Sequence, residues 1–504
     1  MTSTAVPCLL AVLLGAAGCN TIFGLGATEQ EPVDPMPDAP PDGPSPRVGL
    51  SYLVGATKVP ATMPASPERA AIAGDPQVKV GPLHGALTEA SYFPDNGGEV
   101  EVPPSLFGSP WRLAYTPPGD VTHEVQWNPA VGAGQLVVPI FGRLARVAAP
   151  AGSGYQITLN PGRSFSAGRV FTTGIWLEVF TGAKAFGTPV DVNLATATPR
   201  SGPPGAPEMA ARDLVLLVDY GGSSCRVITG SADFEARELS TAGLTPVSPT
   251  WSAPSTQITI GYEELEDLSV PTRLAEVLGT RSTAQTARRN VYGRTASVEM
   301  PAFTELYNDV PAPMMVPLAD CPFAAGDTEP FVDPLALAGF PAVVLSYTAN
   351  LRQLPGSGTS LLSSIATVTR TPQAVSFDVP IPTAPIMLGA LDLGNVDGQQ
   401  LPAGGFVELS FGLDRTPATS TLHHVEVRLH RISGSQLVTE RVYLIAAATR
   451  PAVTFDTTIL QPGSTYVFSL HTFRGRPGAA TYDFSTSSFP QSTATVYTRT
   501  FVTP

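Results

Sequence analysis

The sequence predicts an all-β protein made of several β-sandwich domains, and three observations predict it. Charged residues make up 14% of the chain, against about 25% in a typical soluble domain. Glycine (47) and proline (52) are abundant, and both punctuate turns rather than extend helices. Between them lie short apolar or alternating runs such as "GYQITL", "RVFTTGIWLEVFTG" and "TPVDVNLAT", the period-two signature of half-buried strands. A chain of 504 residues is long enough for roughly two to four domains with sizeable cores.

The N-terminus reads as an export signal. Residues 6–17 are almost all apolar, the length of a signal-peptide core and short of the ~20 residues that cross a bilayer. Ala16, Ala17 and Gly18 lead to Cys19 in "LLGAAGCN". This stretch resembles the lipobox of bacterial lipoproteins, with Ala16 where that family usually has leucine. The resemblance implies removal of residues 1–18, lipidation of Cys19 and anchoring to a membrane. Asn20, rather than aspartate, leans the sorting toward the outer membrane of the cell envelope. The alternative is an ordinary signal cut near Gly18 that leaves Cys19 free.

Residues 19–47 are rich in proline and acidic residues, carry no basic residue before Arg47, and show no helix or strand period. Such a segment buries too little apolar surface to offset its ordering entropy and is expected to be an extended tether. Strand-like runs then fill residues 48–200, up to the Pro/Gly stretch "TPRSGPPGAPE" at 198–208, which is the expected boundary of a first β-rich domain. A second β-rich domain is expected over residues 201–382. It includes a short helix at "PTRLAEVLG", with Leu274, Val277 and Leu278 on one face.

The last segment, 383–504, is the most legible. Val407, Leu409, Phe411 and Leu413 alternate, as do Val425, Val427 and Leu429, and seven such runs fall within the segment. That density suggests an immunoglobulin-like sandwich. The turn "LQPGSTYVFSLHTF", with Leu460, Pro462, Gly463 and Tyr466, resembles the entry to the sixth strand of fibronectin type III domains. The resemblance implies a tyrosine corner at Tyr466, with the ring packed inward and the hydroxyl on nearby backbone. Phe411 stands where many such domains have tryptophan.

Four cysteines are present, two of them (Cys8 and Cys19) in the leader region. The remaining pair, Cys225 and Cys321, reads in an exported protein as one disulfide worth about 4 kcal/mol, the alternative being two unrelated buried thiols. A net charge of -13 excludes nucleic acid as a partner and disfavours adhesion to anionic lipid.

No motif carries catalysis. "HEVQW" at His123 lacks the second histidine of a zinc-protease helix. His424, Glu426, Arg428 and His430 alternate on one strand face, expected to be solvated, with Arg428 repelling any metal. Asp392, Asn395 and Asp397 near Gly398 miss the spacing of a calcium loop and read as a turn. Glu263, Glu264, Glu266 and Asp267 in "YEELED" read as an exposed acidic turn. No nucleophile elbow or nucleotide loop occurs; no metal, cofactor or catalytic residue is expected.

Two functional readings follow. One is a non-enzymatic cell-envelope lipoprotein that presents β-sandwich modules to a protein or glycan ligand. The other is a secreted or envelope hydrolase directed at glycans, with the C-terminal sandwich as an accessory. A bridged pair leaves neither Cys225 nor Cys321 open to alkylation in the denatured, unreduced protein; labelling of both would exclude the disulfide.

Overall fold

In the computed structural model the described residues run from 47 to 504, apart from residues 55–67, 72–75, 117–120, 128–139, 143–146, 173–176, 194–207, 210–213, 222–226, 236–242, 253–256, 262–272, 279–283, 295–314, 318–327, 333–342, 371–378, 416–421, 480–490 and shorter breaks. The strands used below are, in chain order, β1 (Gln77–Pro82), β2 (Trp111–Thr116), β3 (Thr122–Trp127), β4 (Ala284–Arg294), β5 (Val343–Gln353), β6 (Ser360–Arg370), β7 (Pro382–Leu388), β8 (Phe406–Leu413), β9 (His424–Ser433), β10 (Gln436–Ala446), β11 (Ala452–Asp456), β12 (Thr465–Arg474) and β13 (Gln491–Tyr497). The protein is all-β. Of the predicted helix, residues 273, 274, 277 and 278 are described and helical, with Leu274 and Leu278 buried. Among the described residues no helix is long and apolar enough to cross a membrane.

The C-terminal segment forms a sandwich. One sheet holds Leu391–Asp392, β7, β8 and β11 in that order; the facing layer is the run β10, β9, β12, β13 of a larger sheet. The pleat of the strands explains the core of this sandwich. Leu409 and Phe411 of β8 meet Val425, Val427 and Leu429 of β9, with Phe455 and Phe468 between them, all fully buried. Phe455 and Phe468 pack edge to face at 5.5 Å, a geometry that aromatic quadrupoles favour. Burying each such side chain stabilises the fold by about 1.5–3 kcal/mol.

Tyr466, the second residue of β12, is fully buried in the same core. Its hydroxyl accepts a hydrogen bond from the Gln461 N–H at 2.9 Å, across a turn in which Gly463 has φ +67°. That φ is the left-handed conformation glycine adopts without strain. The bond is the tyrosine corner, tying the loop after β11 to the start of β12. Burial raises the phenol above its ordinary pKa.

The larger sheet does not stop at the sandwich. Among the described residues its 14 strands run from Met315–Pro317 through β4, β5, β6, β13, β12, β9, β10, β3, β2 and β1 to Thr88–Glu89, with Phe501–Val502 paired to β12 and Gln399–Gln400 paired to Phe501–Val502. At one side β6 pairs antiparallel with β13. At the other, β3 joins β10 in parallel, Arg441 opposite Thr122 through Leu444 opposite Val125.

A buried charge cluster pins that parallel seam. Glu124 is fully buried; Arg112 Nη1 reaches both its carboxylate oxygens at 3.4 Å, Arg441 Nη1 reaches Oε2 at 3.1 Å, and Gln126 Nε2 donates to Oε1 at 2.9 Å. The Gln126 amide also behaves like a strand's peptide group. It donates to Thr454 O at 2.6 Å and accepts from Thr454 N at 2.9 Å, so β3 serves the outer edge of β11 as well as that of β10. On the opposite face Trp111 and Trp127 stack at 4.4 Å. They share a core with Val48, Leu50, Val100 and Val102 of the N-terminal strands and with Leu444 and Phe473 of the sandwich.

The middle of the chain forms a second sandwich. Leu177–Lys184, Phe165–Thr172, Leu214–Gly221 and Val227–Glu235 make one sheet, and Val190–Asn193, Ser153–Ile157 and Gly243–Val247 make another. Tyr155, Ile157, Val170, Val192, Val215 and Leu217 are buried between them.

These pairings correct the expected domain borders. Phe165–Thr172, which precedes the expected border at 200, hydrogen-bonds to Leu214–Gly221, which follows it, so strands from both sides of that border belong to one sheet. The border expected at 382 is crossed by the pairing of β6 with β13, and residues 47–504 form one compact unit. Arg273 adds a further tie, donating to Asp414 Oδ2 through Nε at 3.0 Å and Nη2 at 2.7 Å.

Replacing Glu124 with glutamine leaves Arg112 buried without its counter-charge. Breaking a buried pair in this way costs about 3–5 kcal/mol. Glu124→Gln should therefore lower the urea midpoint markedly, and an unchanged midpoint would show that the seam does not limit stability.

Candidate functional site

The sandwich places its chemistry-bearing side chains on the face of β9 and β12 that points away from the core. On β9 these are His424, Glu426, Arg428 and His430, alternating with the core residues Val425, Val427 and Leu429. On β12 they are Ser469 and His471, alternating with Phe468 and Leu470. The antiparallel register sets Glu426 opposite His471 and Arg428 opposite Ser469, and His471 opposite Thr495 of β13.

A continuous hydrogen-bonded chain crosses four strands. Thr439 Oγ1 lies 3.1 Å from His430 Nδ1, and His430 Nε2 lies 2.7 Å from Ser469 Oγ. Ser469 Oγ lies 2.8 Å from His471 Nε2, and His471 Nδ1 lies 3.0 Å from Thr495 Oγ1. With both imidazoles neutral, every link is satisfied by donors that all run in one direction, either from Thr439 to Thr495 or the reverse. Beside the chain, Arg428 Nε donates to Glu426 Oε1 at 2.5 Å.

The expectation of a solvated face is corrected here. His424 and Glu426 are fully buried, His430 is 5% exposed, and Arg428 is half-buried. His424 stacks on Phe473 at 4.4 Å, and Phe473 belongs to the core shared with the N-terminal strands. The period of a strand shows which residues share a face, but not what packs onto that face.

Burial decides the protonation of the two chain histidines. It holds His430 down to about 3, with the Arg428 charge adding to the effect. His471 is held well below the ordinary histidine range by burial, then by Arg428 and by His430. Ser469 is 1% exposed, so it meets no substrate. What the chain can do chemically is relay a proton between β10 and β13 and lock the four strands in register.

The other expected sites fall as follows. Tyr466 forms the corner described above. His123 is 1% exposed on β3 and stacks on Tyr115 at 5.2 Å, a core position. Asp392 Oδ1 accepts from Gly394 N at 2.9 Å and Oδ2 from Asn395 Nδ2 at 2.9 Å. Asp397 binds Arg499 and Thr500, so the segment at 392–398 is a turn whose carboxylates are already engaged. Among the described residues no group of three or more histidines, cysteines, aspartates or glutamates is placed to hold a metal. Cys19, Cys225, Cys321 and the "YEELED" carboxylates Glu263, Glu264, Glu266 and Asp267 lie outside the described residues.

Sequence reasoning missed Ser469 and His471, although the signal was present: an inward Tyr466, Phe468 and Leu470 leave those two on the other face. It also passed over Thr439, Thr495, Arg112 and Glu124, whose roles arise only from pairing with distant strands.

A pH dependence follows from the depressed histidines. Above their unfolded value of 6.5 both states are neutral and this contribution to stability is fully present. As pH falls toward about 3, the unfolded chain takes up protons that the fold refuses, and stability drops by about 1.4 kcal/mol per pH unit for each such proton. His430→Gln should reduce the slope of stability between about pH 6 and pH 4 by about one proton. An unaltered slope in urea titrations across that range would count against the assignment.

No known protein family and no curated protein matches this chain.

Proposed function

We propose that this chain is a non-enzymatic cell-envelope lipoprotein, held at the outer membrane through lipid on Cys19, whose β-sandwich modules present a rigid surface for a protein or glycan ligand. The observation that carries the reading is the order of the N-terminal sequence: an apolar export core, the small residues Ala16, Ala17 and Gly18, then Cys19 and a Pro/acidic spacer to residue 47. One acyl chain anchors only marginally, whereas the multiple chains of a lipoprotein cysteine hold stably. The spacer then separates a folded body from the lipid surface.

Two features support the non-enzymatic part. The Ser469 hydroxyl is buried between two neutral imidazoles, and the carboxylates of Glu124 and Asp414 are engaged by arginines that join distant parts of the chain. These side chains hold the fold together. A Cys225 to Cys321 disulfide belongs to the same reading, since an exported chain folds in an oxidising compartment.

The test is the mass of the N-terminal peptide of the mature protein recovered from the membrane fraction. The expected result is Cys19 as the first residue, carrying a diacylglyceryl group, and release of the Cys19→Ala variant into the soluble fraction. An unmodified N-terminus on soluble wild-type protein would overturn the anchor.

A further inference from the structure

At the end of the sandwich where β13 leaves the sheet, two arginines share one aspartate. Arg352, near the end of β5, is 8% exposed; its Nη2 donates to Thr498 O at 3.0 Å and stands 3.9 Å from Asp397 Oδ1. Arg499 Nη1 donates to Asp397 Oδ2 at 2.8 Å. Asp397 Oδ1 accepts from Thr500 N at 2.8 Å and from the Thr500 hydroxyl at 3.2 Å.

The acceptors run out before the donors do. Among the described residues, Arg352 Nε and Nη1 and Arg499 Nε are buried and have no hydrogen-bond partner. Two guanidiniums face one carboxylate, which leaves an excess positive charge. A buried donor of this kind is strongly unfavourable unless an acceptor reaches it, and guanidinium donors match oxyanions in charge and shape. The Asp397 side chain is 39% exposed and sits before Gly398, which has φ +72°, on a surface turn. The approach from solvent therefore lies beside Asp397. Burial draws the Asp397 carboxyl upward, but the Thr500 N–H and the two arginines hold it below its usual value, as expected of an internal carboxylate that already serves part of the cluster.

We propose that Arg352 and Arg499 form a binding site for a small oxyanion, a carboxylate or a phosphate group, which enters beside Asp397 and supplies the acceptors that the cluster lacks. Asp397 is the site's internal competitor. Its removal strengthens binding, whereas removal of Arg499 abolishes it.

The experiment is a thermal-melt titration of the full chain with inorganic phosphate and, separately, acetate, at constant ionic strength with chloride as control. The expected result is a saturable rise in melting temperature with at least one of the two anions and none with chloride. The anion that saturates at lower concentration identifies the ligand group. Asp397→Asn, which keeps an acceptor for Thr500 N, should move half-saturation to about tenfold lower anion, and Arg499→Gln should remove the response. The proposal is overturned if neither anion saturates in wild type or in Asp397→Asn, if Asp397→Asn shows no gain, or if a folded Arg499→Gln responds like wild type.

Discussion

The parallel pairing of β3 with β10 is the constraint on which the rest of the molecule depends. A β-sandwich has open edges, and an exposed edge is a template for pairing with other chains. Here the edge of β10 is taken by β3 and the edge of β13 by β6. The edge of β11 receives the Gln126 amide in place of a strand. Glu124 makes the seam specific, because a carboxylate buried between Arg112 and Arg441 is satisfied in one register only. A slip by one residue would turn Glu124 toward the tryptophan side and leave both arginines uncompensated.

That seam also explains the buried polar face. Once β3 and the N-terminal strands are drawn against the sandwich, their apolar residues share a core with Leu444 and Phe473, and His424 is enclosed beside them. His430, Ser469 and His471 form a chain that has an inexpensive solution only when both rings are neutral. Polar groups buried in this way specify register more than they add stability, since each link exchanges a bond to water for one within the protein.

Much of the sandwich was legible from residue patterns. The alternation at Leu409 and Phe411, and at Val425, Val427 and Leu429, gives inward faces directly because side chains on a strand alternate with period two. Tyr466 was legible for a related reason. A tyrosine placed shortly after a Pro-Gly turn finds a backbone N–H within its own loop, so the whole contact is local. The cluster at Arg352, Asp397 and Arg499 left no such trace, because its members lie far apart in the chain and only the end of the sandwich brings them together.

The sequence by itself determined the all-β class, the inward faces of the C-terminal sandwich and the turn chemistry, because these follow from periodicity and from residues that act within a few positions of one another. Tertiary structure alone decided that Phe165–Thr172 and Leu214–Gly221 share a sheet across the border expected at 200, that residues 122–127 pair with a strand some three hundred residues later, and that the face carrying His424 and Glu426 is buried. Each of these depends on a pairing between distant strands, and backbone hydrogen bonds of that kind are made by groups that every residue carries. Composition therefore cannot announce them; they emerge when burial of apolar surface and the pairing of the few buried charges are satisfied together.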